Sequence, residues 1–261
     1  MVAAAEIAPN DRVFEIGPGP GILTTALLAA GADVLAAEID AKLCTLLRDR
    51  FSSPQFALHH GDALVLPNAE ICKKGLSRLS QKGTDPFCEY KVAANLPYNI
   101  TSAVLEKFLF EAPKPTSLTI MIQREVADRI LAKLGEMSSL AVMVQTMGEA
   151  RLIRRVPRGS FYPPPKVDSS VIQIILKSER ELDALFDGMS RDSFFTFVRT
   201  AFGQKRKQLK NSLLGMANIT DLETAAKAAG IPLTARPEEL SVAQWIGFAQ
   251  HLLRKGINGS T

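Results

Sequence analysis

Glycine-rich and acidic segments near the start of the chain could hold a nucleoside-containing cofactor. Residues 15–21 read E-I-G-P-G-P-G, and the candidate binding residues there are Glu15, Gly17, Gly19 and Gly21. Glycines let the backbone turn tightly and approach a ligand closely at the start of a helix. A dinucleotide-binding G-x-G-x-x-G counted from Gly17 would need glycine at position 22, where this chain has isoleucine. A nicotinamide cofactor is therefore disfavoured, and E-x-G-x-G-x-G is instead typical of S-adenosylmethionine sites.

Two carboxylates that each follow an apolar run extend this candidate cofactor site. Glu38 and Ile39 end the second predicted strand, and Asp62 and Ala63 follow the third. Doubly wound sheets bind ligands at the carboxyl ends of their strands. We expect Glu38 to meet the ribose hydroxyls and Asp62 the adenine amino group. Either acid alone could be a helix cap or a solvated loop residue, but together with the glycine turn they favour an adenosyl cofactor.

A turn with an amide, a proline and an aromatic residue lies at residues 92–100, V-A-A-N-L-P-Y-N-I. Taken alone, it could be a loop in which Pro97 stops a strand and Tyr98 covers the core. Beside a methyl donor, however, the Asn95 side-chain carbonyl can hold the amino hydrogens of an adenine and aim the nitrogen lone pair at the methyl group. Tyr98 offers a face on which an extruded base can stack, and Leu96 and Pro97 complete the turn. We therefore predict that Asn95 borders both cofactor and target base.

The elements that must position these residues alternate between strands and helices. Predicted strands cover residues 12–16, 33–37, 55–59, 90–94 and 117–122, and predicted helices cover residues 21–30, 41–50, 101–110 and 123–133. The helix at 101–110 is expected to begin with a Thr/Ser cap. Two later runs, at 151–156 and 170–177, could pair as an antiparallel edge. This order predicts an α/β fold with a parallel, doubly wound sheet.

Beyond about Ser178 the pattern becomes helical. Predicted helices cover residues 190–202, 205–213, 221–229 and 237–253. Trp245 and Phe248, at helical spacing, are expected in the core of this part. We predict a cofactor-binding domain at residues 1–178 and a small all-helical domain at 179–261, with residues 76–85 forming a polar surface loop.

Composition excludes several classes of protein. The chain has 261 residues, 46% of them hydrophobic and 22% charged, as in ordinary globular domains. No run approaches the roughly eighteen apolar residues of a membrane helix, and the N-terminus lacks a signal-peptide pattern. Three widely spaced cysteines and three histidines predict neither a disulfide framework nor a metal site. A cytoplasmic location is expected, with an organelle as the alternative.

Basic residues are unevenly distributed along the chain. The net charge is +4, and two stretches contain only basic charges. The first stretch contains Arg151, Arg154, Arg155, Arg158 and Lys166, and the second contains Arg199, Lys205, Arg206, Lys207 and Lys210. Either stretch alone could be a solvated face. Together they suggest a polyanionic partner such as a nucleic acid.

These motifs resemble the ribosomal RNA adenine dimethyltransferase family. N-L-P-Y-N-I, E-I-G-P-G and G-D-A-L match that family around the candidate site. Longer matches are M-I-Q-R-E-V-A-D-R-I at 121–130, F-Y-P-P-P-K-V-D-S-S-V at 161–171 and R-T-A-F-G-Q-K-R-K-Q-L-K-N-S-L at 199–213. The resemblance covers nearly the whole chain, and F-Y-P-P-P-K-V-D-S is more specific than chance would produce.

The resemblance implies a fold, a reaction and a substrate. The fold is a Rossmann-like class I methyltransferase sheet with a small C-terminal all-helical domain. Family members use S-adenosylmethionine to place two methyl groups on N6 of each of two adjacent adenines in a hairpin near the 3′ end of small-subunit rRNA. The implied partner is a partly assembled small ribosomal subunit, with no membrane or metal, and a monomer is expected.

The resemblance also implies roles for residues outside the cofactor site. Phe161 would stack on the target base opposite Tyr98, on a loop stiffened by the proline run that follows it. The C-terminal helices would dock RNA by placing basic side chains against phosphates, without reading sequence. These RNA-binding candidates are Arg199, Lys205, Arg206, Lys207 and Lys210.

One departure from the family pattern lies ahead of the first strand. Family members usually carry a G-Q-N-F-L-like segment there, which closes over the methionine end of the cofactor. Here Met1 is followed at once by V-A-A-A-E-I-A-P-N-D-R-V. Weaker S-adenosylmethionine binding is therefore expected for this chain than for a form that carries the segment; equal affinities by calorimetry would contradict this.

Two alternative functions share much of this pattern. A resistance-type large-subunit rRNA adenine methyltransferase has the same cofactor site and an N-x-P-Y motif, but the matches at 121–130 and 161–171 favour the small-subunit group. A non-catalytic assembly or transcription factor could keep the scaffold and its affinity for RNA or DNA. Retention of Glu38, Asp62, Asn95 and Tyr98 argues against that second alternative.

Overall fold

A sheet with a mostly parallel order forms the centre of the first part of the chain. The computed structural model describes residues 1–72, 89–204 and 207–253. Within them the strands are β1 Arg12–Ile16, β2 Asp33–Glu38, β3 Phe56–His60, β4 Lys91–Asn95, β5 Ser117–Gln123, β6 Gly148–Val156 and β7 Ser169–Leu176. Their spatial order is β3-β2-β1-β4-β5-β7-β6. The predicted α/β fold with a doubly wound sheet is confirmed.

Strand direction explains why the candidate site lies at one edge of the sheet. β1, β2, β3, β4 and β5 pair in parallel, whereas β7 is antiparallel to β5. β6 lies beside β7 at the end of the sheet, as the sequence predicted for the two late strands. The central strands are buried almost throughout, because helices cover both faces of a parallel sheet. Their carboxyl ends therefore meet at one edge.

Helices connect the strands close to where the sequence predicted them. In the first part these are α1 Ile22–Ala29, α2 Ala41–Arg50, α3 Asn68–Glu70, α4 Thr101–Phe110 and α5 Arg124–Ile130. The Asp40 side chain caps α2 by accepting bonds from the amides of Lys42 and Leu43. The predicted Thr/Ser cap of α4 is wrong: Ile100 occupies the cap position without a side-chain bond, since a 3-10 turn leads directly into the helix.

The remaining helices are α6 Ser139–Met147, α7 Glu179–Phe186, α8 Arg191–Phe202, α9 Leu209–Leu213, α10 Ile219–Ala228 and α11 Val242–Leu253. The predicted helix at 237–253 is interrupted, because Leu240 is extended after a 3-10 turn and its side chain is buried. The predicted helix at 205–213 begins only at Leu209, because Gln208 is extended. Residues 205 and 206, like the predicted loop at 76–85, lie outside the described residues.

The chain divides into two compact units. Unit 1 comprises residues 1–127 and 150–176, and unit 2 comprises residues 128–149 and 177–261. The sequence assigned residues 128–149 to the first domain, but α6 lies in unit 2, where the Lys177 ammonium donates to the carbonyls of Gln145 and Thr146. Trp245 and Phe248 are buried in unit 2, as predicted.

Aromatic rings fill the core of unit 2. The ring of Phe197 lies edge-on to those of Trp245 and Phe248, with centroids 5.7 and 5.2 Å away. Such edge-to-face pairs add to the stabilisation from burial alone. A core of this kind, made by α8 and α11, leaves the polar face of α8 free to carry the exposed Arg199.

One cysteine prediction is corrected. Cys44 is a buried free thiol, but Cys72 is disulfide-bonded. Spacing along the chain did not reveal this, because a disulfide requires only that two cysteines approach in space.

Candidate active site

The glycine-rich turn connects β1 to α1 and leaves open space beside its backbone. Gly19 has φ +56° and Gly21 has φ +84°, values that L side chains rarely adopt. A Cβ placed on Gly19 would meet no atom within 4 Å, whereas one on Gly21 would lie 2.5 Å from a ring carbon of Phe51. Gly17 is likewise open, and its amide donates to the Ala37 carbonyl at 3.0 Å. The turn thus packs tightly at Gly21 and leaves Gly17 and Gly19 free for a ligand to approach.

Glu15 lies beneath this turn and is 1% exposed. Its carboxylate accepts a 2.7 Å hydrogen bond from the Thr24 hydroxyl in α1. Burial raises the pKa of Glu15 to about 7, although the Thr24 hydrogen bonds partly oppose that shift. The side chain therefore joins β1 to the first turn of α1.

Glu38 ends β2 and joins three segments of the candidate site. One carboxylate oxygen accepts from the Gly19 amide at 3.2 Å, and the other accepts from the amides of Ile39 and Asp40 at 2.9 and 3.0 Å. The adjacent Ile39 is 68% exposed, so an apolar side chain projects from the same strand end. An acceptor beside an exposed apolar face suits a ribose joined to a flat base.

Asp62 lies just past the end of β3, close to Glu38. His60 pairs with Glu38, and the Gly61 amide donates to the Glu38 carbonyl at 2.8 Å. Asp62 is half-buried and accepts from the Leu64 amide at 2.8 Å, while Ala63 is buried. The structure therefore brings the ends of β2 and β3 together as the sequence predicted.

Asn95 is the last residue of β4, and its side chain is exposed. β1 and β4 are parallel, and Glu15 lies opposite Ala93. Two residues further along each strand, Gly17 follows β1 and Asn95 ends β4. Asn95 thus ends its strand beside the glycine turn. The next residue, Leu96, is buried and its amide donates to the Met121 carbonyl at 3.1 Å, which anchors the loop to β5.

Tyr98 begins the 3-10 turn Tyr98–Ile100 that follows this anchor, after the exposed Pro97. Its hydroxyl is 2.8 Å from the Ser169 hydroxyl, at the start of β7. This contact orients the ring across 71 residues of sequence, a separation that local pattern cannot bridge. Ser169 is the serine of the P-K-V-D-S motif, and the sequence did not predict its contact with Tyr98.

The segment that carries Phe161 follows β6 and a short 3-10 turn, Arg158–Ser160. Phe161 is half-buried, and the neighbouring Tyr162 is fully exposed. Asp168 holds the base of this segment by accepting from the Arg158 amide and from the Arg124 guanidinium, both at 3.1 Å. Stacking of Phe161 on a target base stays a prediction.

The basic candidates of unit 2 are exposed where the structure describes them. Arg199 lies in the last turn of α8, Lys210 lies in α9, and Lys207 lies just before α9. Lys205 and Arg206 lie outside the described residues. Arg199, Lys207 and Lys210 are thus available to an external anion.

Neither a metal centre nor a membrane-spanning helix is found among residues 1–72, 89–204 and 207–253. Across these ranges no three His, Cys, Asp or Glu side chains group in a way that could bind a metal ion. Nor does any helix described there have both the length and the apolar content to span a bilayer.

The chain is similar in sequence to one family model and to several named relatives. The sequence model of the family described as ribosomal RNA adenine dimethylase matches residues 1–253. Ribosomal RNA small subunit methyltransferase A of Dehalococcoides mccartyi is 39% identical over 94% of this chain and 80% of the relative. The protein of the same name from a Synechococcus species is 37% identical over 97% of this chain and 90% of its own length.

Two solved structures are similar over almost the whole chain. A dimethyladenosine transferase from Plasmodium falciparum has a TM-score of 0.73 and 25% identity, covering 98% of this chain and 94% of that one. The 23S rRNA methyltransferase ErmE has a TM-score of 0.70 and 26% identity, covering 96% and 94%. The sheet and helices described above therefore match the structures of a dimethyladenosine transferase and of a 23S rRNA methyltransferase.

Proposed function

Because the chain belongs to the ribosomal RNA adenine dimethylase family, we propose that it dimethylates N6 of two adjacent adenines in the 3′-terminal hairpin of small-subunit rRNA. It is an S-adenosylmethionine-dependent methyltransferase. The observation that carries the proposal is the position of Asn95: β1–β4 pairing places this exposed amide beside the open glycine turn. An amide acceptor next to a cofactor turn is what amino-group methylation requires.

The described residues fit S-adenosylmethionine, which supplies an electrophilic methyl group when bound. Gly17 and Gly19 leave room for close approach, and Glu38 and Asp62 offer carboxylate acceptors at neighbouring strand ends. Ile39 adds an exposed apolar face for the adenine ring. Glu15 supports the turn from below through Thr24.

Asn95 and Tyr98 act on the target adenine. The exocyclic nitrogen of adenine is a weak nucleophile, since its lone pair is delocalised into the ring. Accepting its hydrogens at the Asn95 side-chain carbonyl favours a tetrahedral nitrogen whose lone pair can point at the methyl group. Tyr98, held by Ser169, gives the extruded base a face to stack on, and Phe161 covers the other face. Catalysis thus rests on positioning.

Because ErmE acts on 23S rRNA, the structural similarity alone does not identify the ribosomal subunit, and sequence identity to named relatives is the better guide. Relatives named for the small subunit are 37–39% identical, whereas ErmE is 26% identical. This difference favours the small-subunit rRNA as substrate. The small ribosomal subunit as the physical partner, the cytoplasmic location and the monomeric state remain predictions.

The test is methyl transfer from labelled S-adenosylmethionine to ribosomal subunits that lack the modification. The purified chain is incubated separately with small and large subunits, and the RNA is digested and analysed for N6,N6-dimethyladenosine. We expect this nucleoside from small subunits and none from large ones. Asn95→Ala serves as the negative control for protein-borne contaminating activity. Product from large subunits alone would transfer the assignment to a large-subunit enzyme, and binding without product would favour a non-catalytic factor.

A further inference from the structure

A cavity of about 420 Å³ lies in unit 1 beside the loop that precedes β7. Its lining comes from the end of β5, the start of α5 and the segment between β6 and β7. The lining residues are Gln123, Arg124, Glu125, Arg158, Lys166, Val167 and Asp168. The roles assigned above to cofactor and target base use none of these side chains.

The cavity adjoins the residues that hold Tyr98. Gln123 in its wall pairs with Ser169 in the β5–β7 ladder, and Asp168 in its wall directly precedes Ser169. The Ser169 hydroxyl is 2.8 Å from the Tyr98 hydroxyl. Only Ser169 therefore separates a group bound in the cavity from Tyr98, on which the target base is proposed to stack.

The cavity has an excess of positive charge, because its lining has three cations, Arg124, Arg158 and Lys166, against two acids, Glu125 and Asp168. Asp168 accepts from the Arg124 guanidinium and from the Arg158 amide, both at 3.1 Å, so its charge is neutralised locally. The Arg158 and Lys166 side chains are exposed, and the part of the chain that the structure describes gives neither an acidic partner. Glu125 is the remaining acid in the lining and is exposed to solvent.

We propose that this cavity binds a backbone phosphate of the substrate RNA, in the strand that flanks the target adenine; the inference rests on the proposed function. A guanidinium and an ammonium at one cavity match a phosphate, the first through paired N–H groups and the second as a point charge. Phosphate contacts fix position and register without reading sequence. Arg158 and Lys166 thereby hold the strand while its base is turned toward Tyr98.

This assignment gives a role to part of the first basic stretch. Arg158 and Lys166 belong to the stretch at 151–166, whereas Arg151 is engaged with Gln173 and Glu6. Arg155 donates to the Ser170 hydroxyl at 2.9 Å. The two side chains at the cavity are thus distinguished from Arg151 and Arg155 by the absence of such contacts among the described residues.

Two double variants and one remote control separate charge from structure. R158A with K166A removes both cations, whereas R158K with K166R keeps the charge in the same places. R48A is the matched control, because it removes an exposed arginine from α2. This helix connects β2 to β3, at the opposite end of the sheet from β6 and β7. Circular dichroism and S-adenosylmethionine affinity by calorimetry are measured for each protein.

The deciding measurement is the dissociation constant for unmodified small subunits as a function of salt concentration. For single-stranded RNA the slope of log K against log salt changes by about 0.7 for each phosphate that the protein no longer neutralises. We expect the alanine double variant to bind several-fold more weakly at low salt, with a slope shallower by about 0.7 to 1.4. The lysine–arginine exchange and R48A should keep the wild-type slope, and cofactor affinity should not change.

Several results would overturn the phosphate site. One is an unchanged slope in the alanine double variant, and another is binding weakened equally by the exchange R158K with K166R. A third is a weaker S-adenosylmethionine affinity of the alanine double variant, which would assign the cavity to the cofactor. Methylation is assayed on the same preparations. The wild type and the alanine double variant could differ in salt slope as expected while the wild type makes no dimethyladenosine. That result would refute the proposed reaction and leave the phosphate site standing.

Discussion

Glu15 places an ionisable group in the core beneath the cofactor turn, and this makes stability depend on pH. Its folded pKa is about 7, against 4.5 for an unperturbed carboxyl, because burial disfavours the charged form. Between these values the folded chain keeps a proton on Glu15 that the unfolded chain has released. Stability therefore falls as the pH rises through this window and reaches its low plateau above pH 7.

Glu15→Gln should remove this dependence, since the amide oxygen still accepts from Thr24 and carries no charge. We expect the variant to exceed wild type in free energy of unfolding by up to about 3 kcal/mol at pH 8, with little difference at pH 5. Urea denaturation at the two pH values measures this. Glu223→Gln, at an exposed position, is the control and should show no such change. Parallel pH profiles for Glu15→Gln and wild type would refute the assignment.

Asn95 is expected to act on the reaction more than on binding. Its exposed side chain makes no contact that the strand needs, because pairing of β4 with β5 uses the backbone. Asn95→Ala should lower kcat about 100-fold, the scale seen when one preorganised polar group is removed from an active site. The affinity for S-adenosylmethionine should change far less. Single-turnover methylation and calorimetry separate the two quantities.

Asn99→Ala is the matched control for that experiment, since it removes an exposed amide from the 3-10 turn that follows Asn95 in the same loop. It should retain near-wild-type turnover. If Asn99→Ala reduced activity as much as Asn95→Ala, the loop conformation rather than the Asn95 carbonyl would be responsible.

At the scale of elements, the β1–α1 turn has one glycine required by packing and another that faces open space. Gly21→Ala would force a positive φ on alanine and place its Cβ 2.5 Å from Phe51. We expect a destabilisation of about 2 kcal/mol or more. Gly19→Ala meets no atom within 4 Å, so we expect a destabilisation nearer 1 kcal/mol together with weaker cofactor binding. Urea denaturation and calorimetry on both variants test this contrast.

A second-site change checks the cause of the Gly21 effect. Phe51→Leu in the Gly21→Ala background should recover part of the stability, because the smaller side chain can move away from the new Cβ. Equal destabilisation by Gly21→Ala and Gly19→Ala would mean that backbone strain alone governs both positions.

The sequence predicted the parallel strands to within about a residue, because the first four apolar runs each end at or beside a glycine, acid or amide of the candidate site. It missed α6, whose residues S-L-A-V-M-V-Q-T-M form an apolar run that does not distinguish strand from helix. It also missed α7, although the Ser178–Glu181 capping box was a readable signal. The contact between Tyr98 and Ser169 depends on the β5–β7 pairing and could not be read locally.

At the scale of the whole molecule, the candidate cofactor residues and the basic residues predicted to dock RNA through the C-terminal helices belong to different units, and variants should separate them. Arg199, Lys207 and Lys210 are exposed in unit 2, whereas Gly17, Glu38, Asp62 and Asn95 belong to unit 1. Phosphate contacts contribute affinity that depends on salt and position the enzyme on its substrate. Lys207→Glu with Lys210→Glu should therefore raise KM for small subunits, and the increase should be larger at low salt.

The same double variant should bind S-adenosylmethionine as wild type does, because no cofactor residue is touched. Lys227→Glu, an exposed charge reversal on α10, is the matched control and should leave KM nearly unchanged. A general repulsion between a more acidic protein and RNA would instead raise KM with Lys227→Glu as well, by about half as much. Unit 2 acts as a docking surface only if the effect depends on where the charge is reversed, and comparison of the two variants at matched salt decides between these explanations.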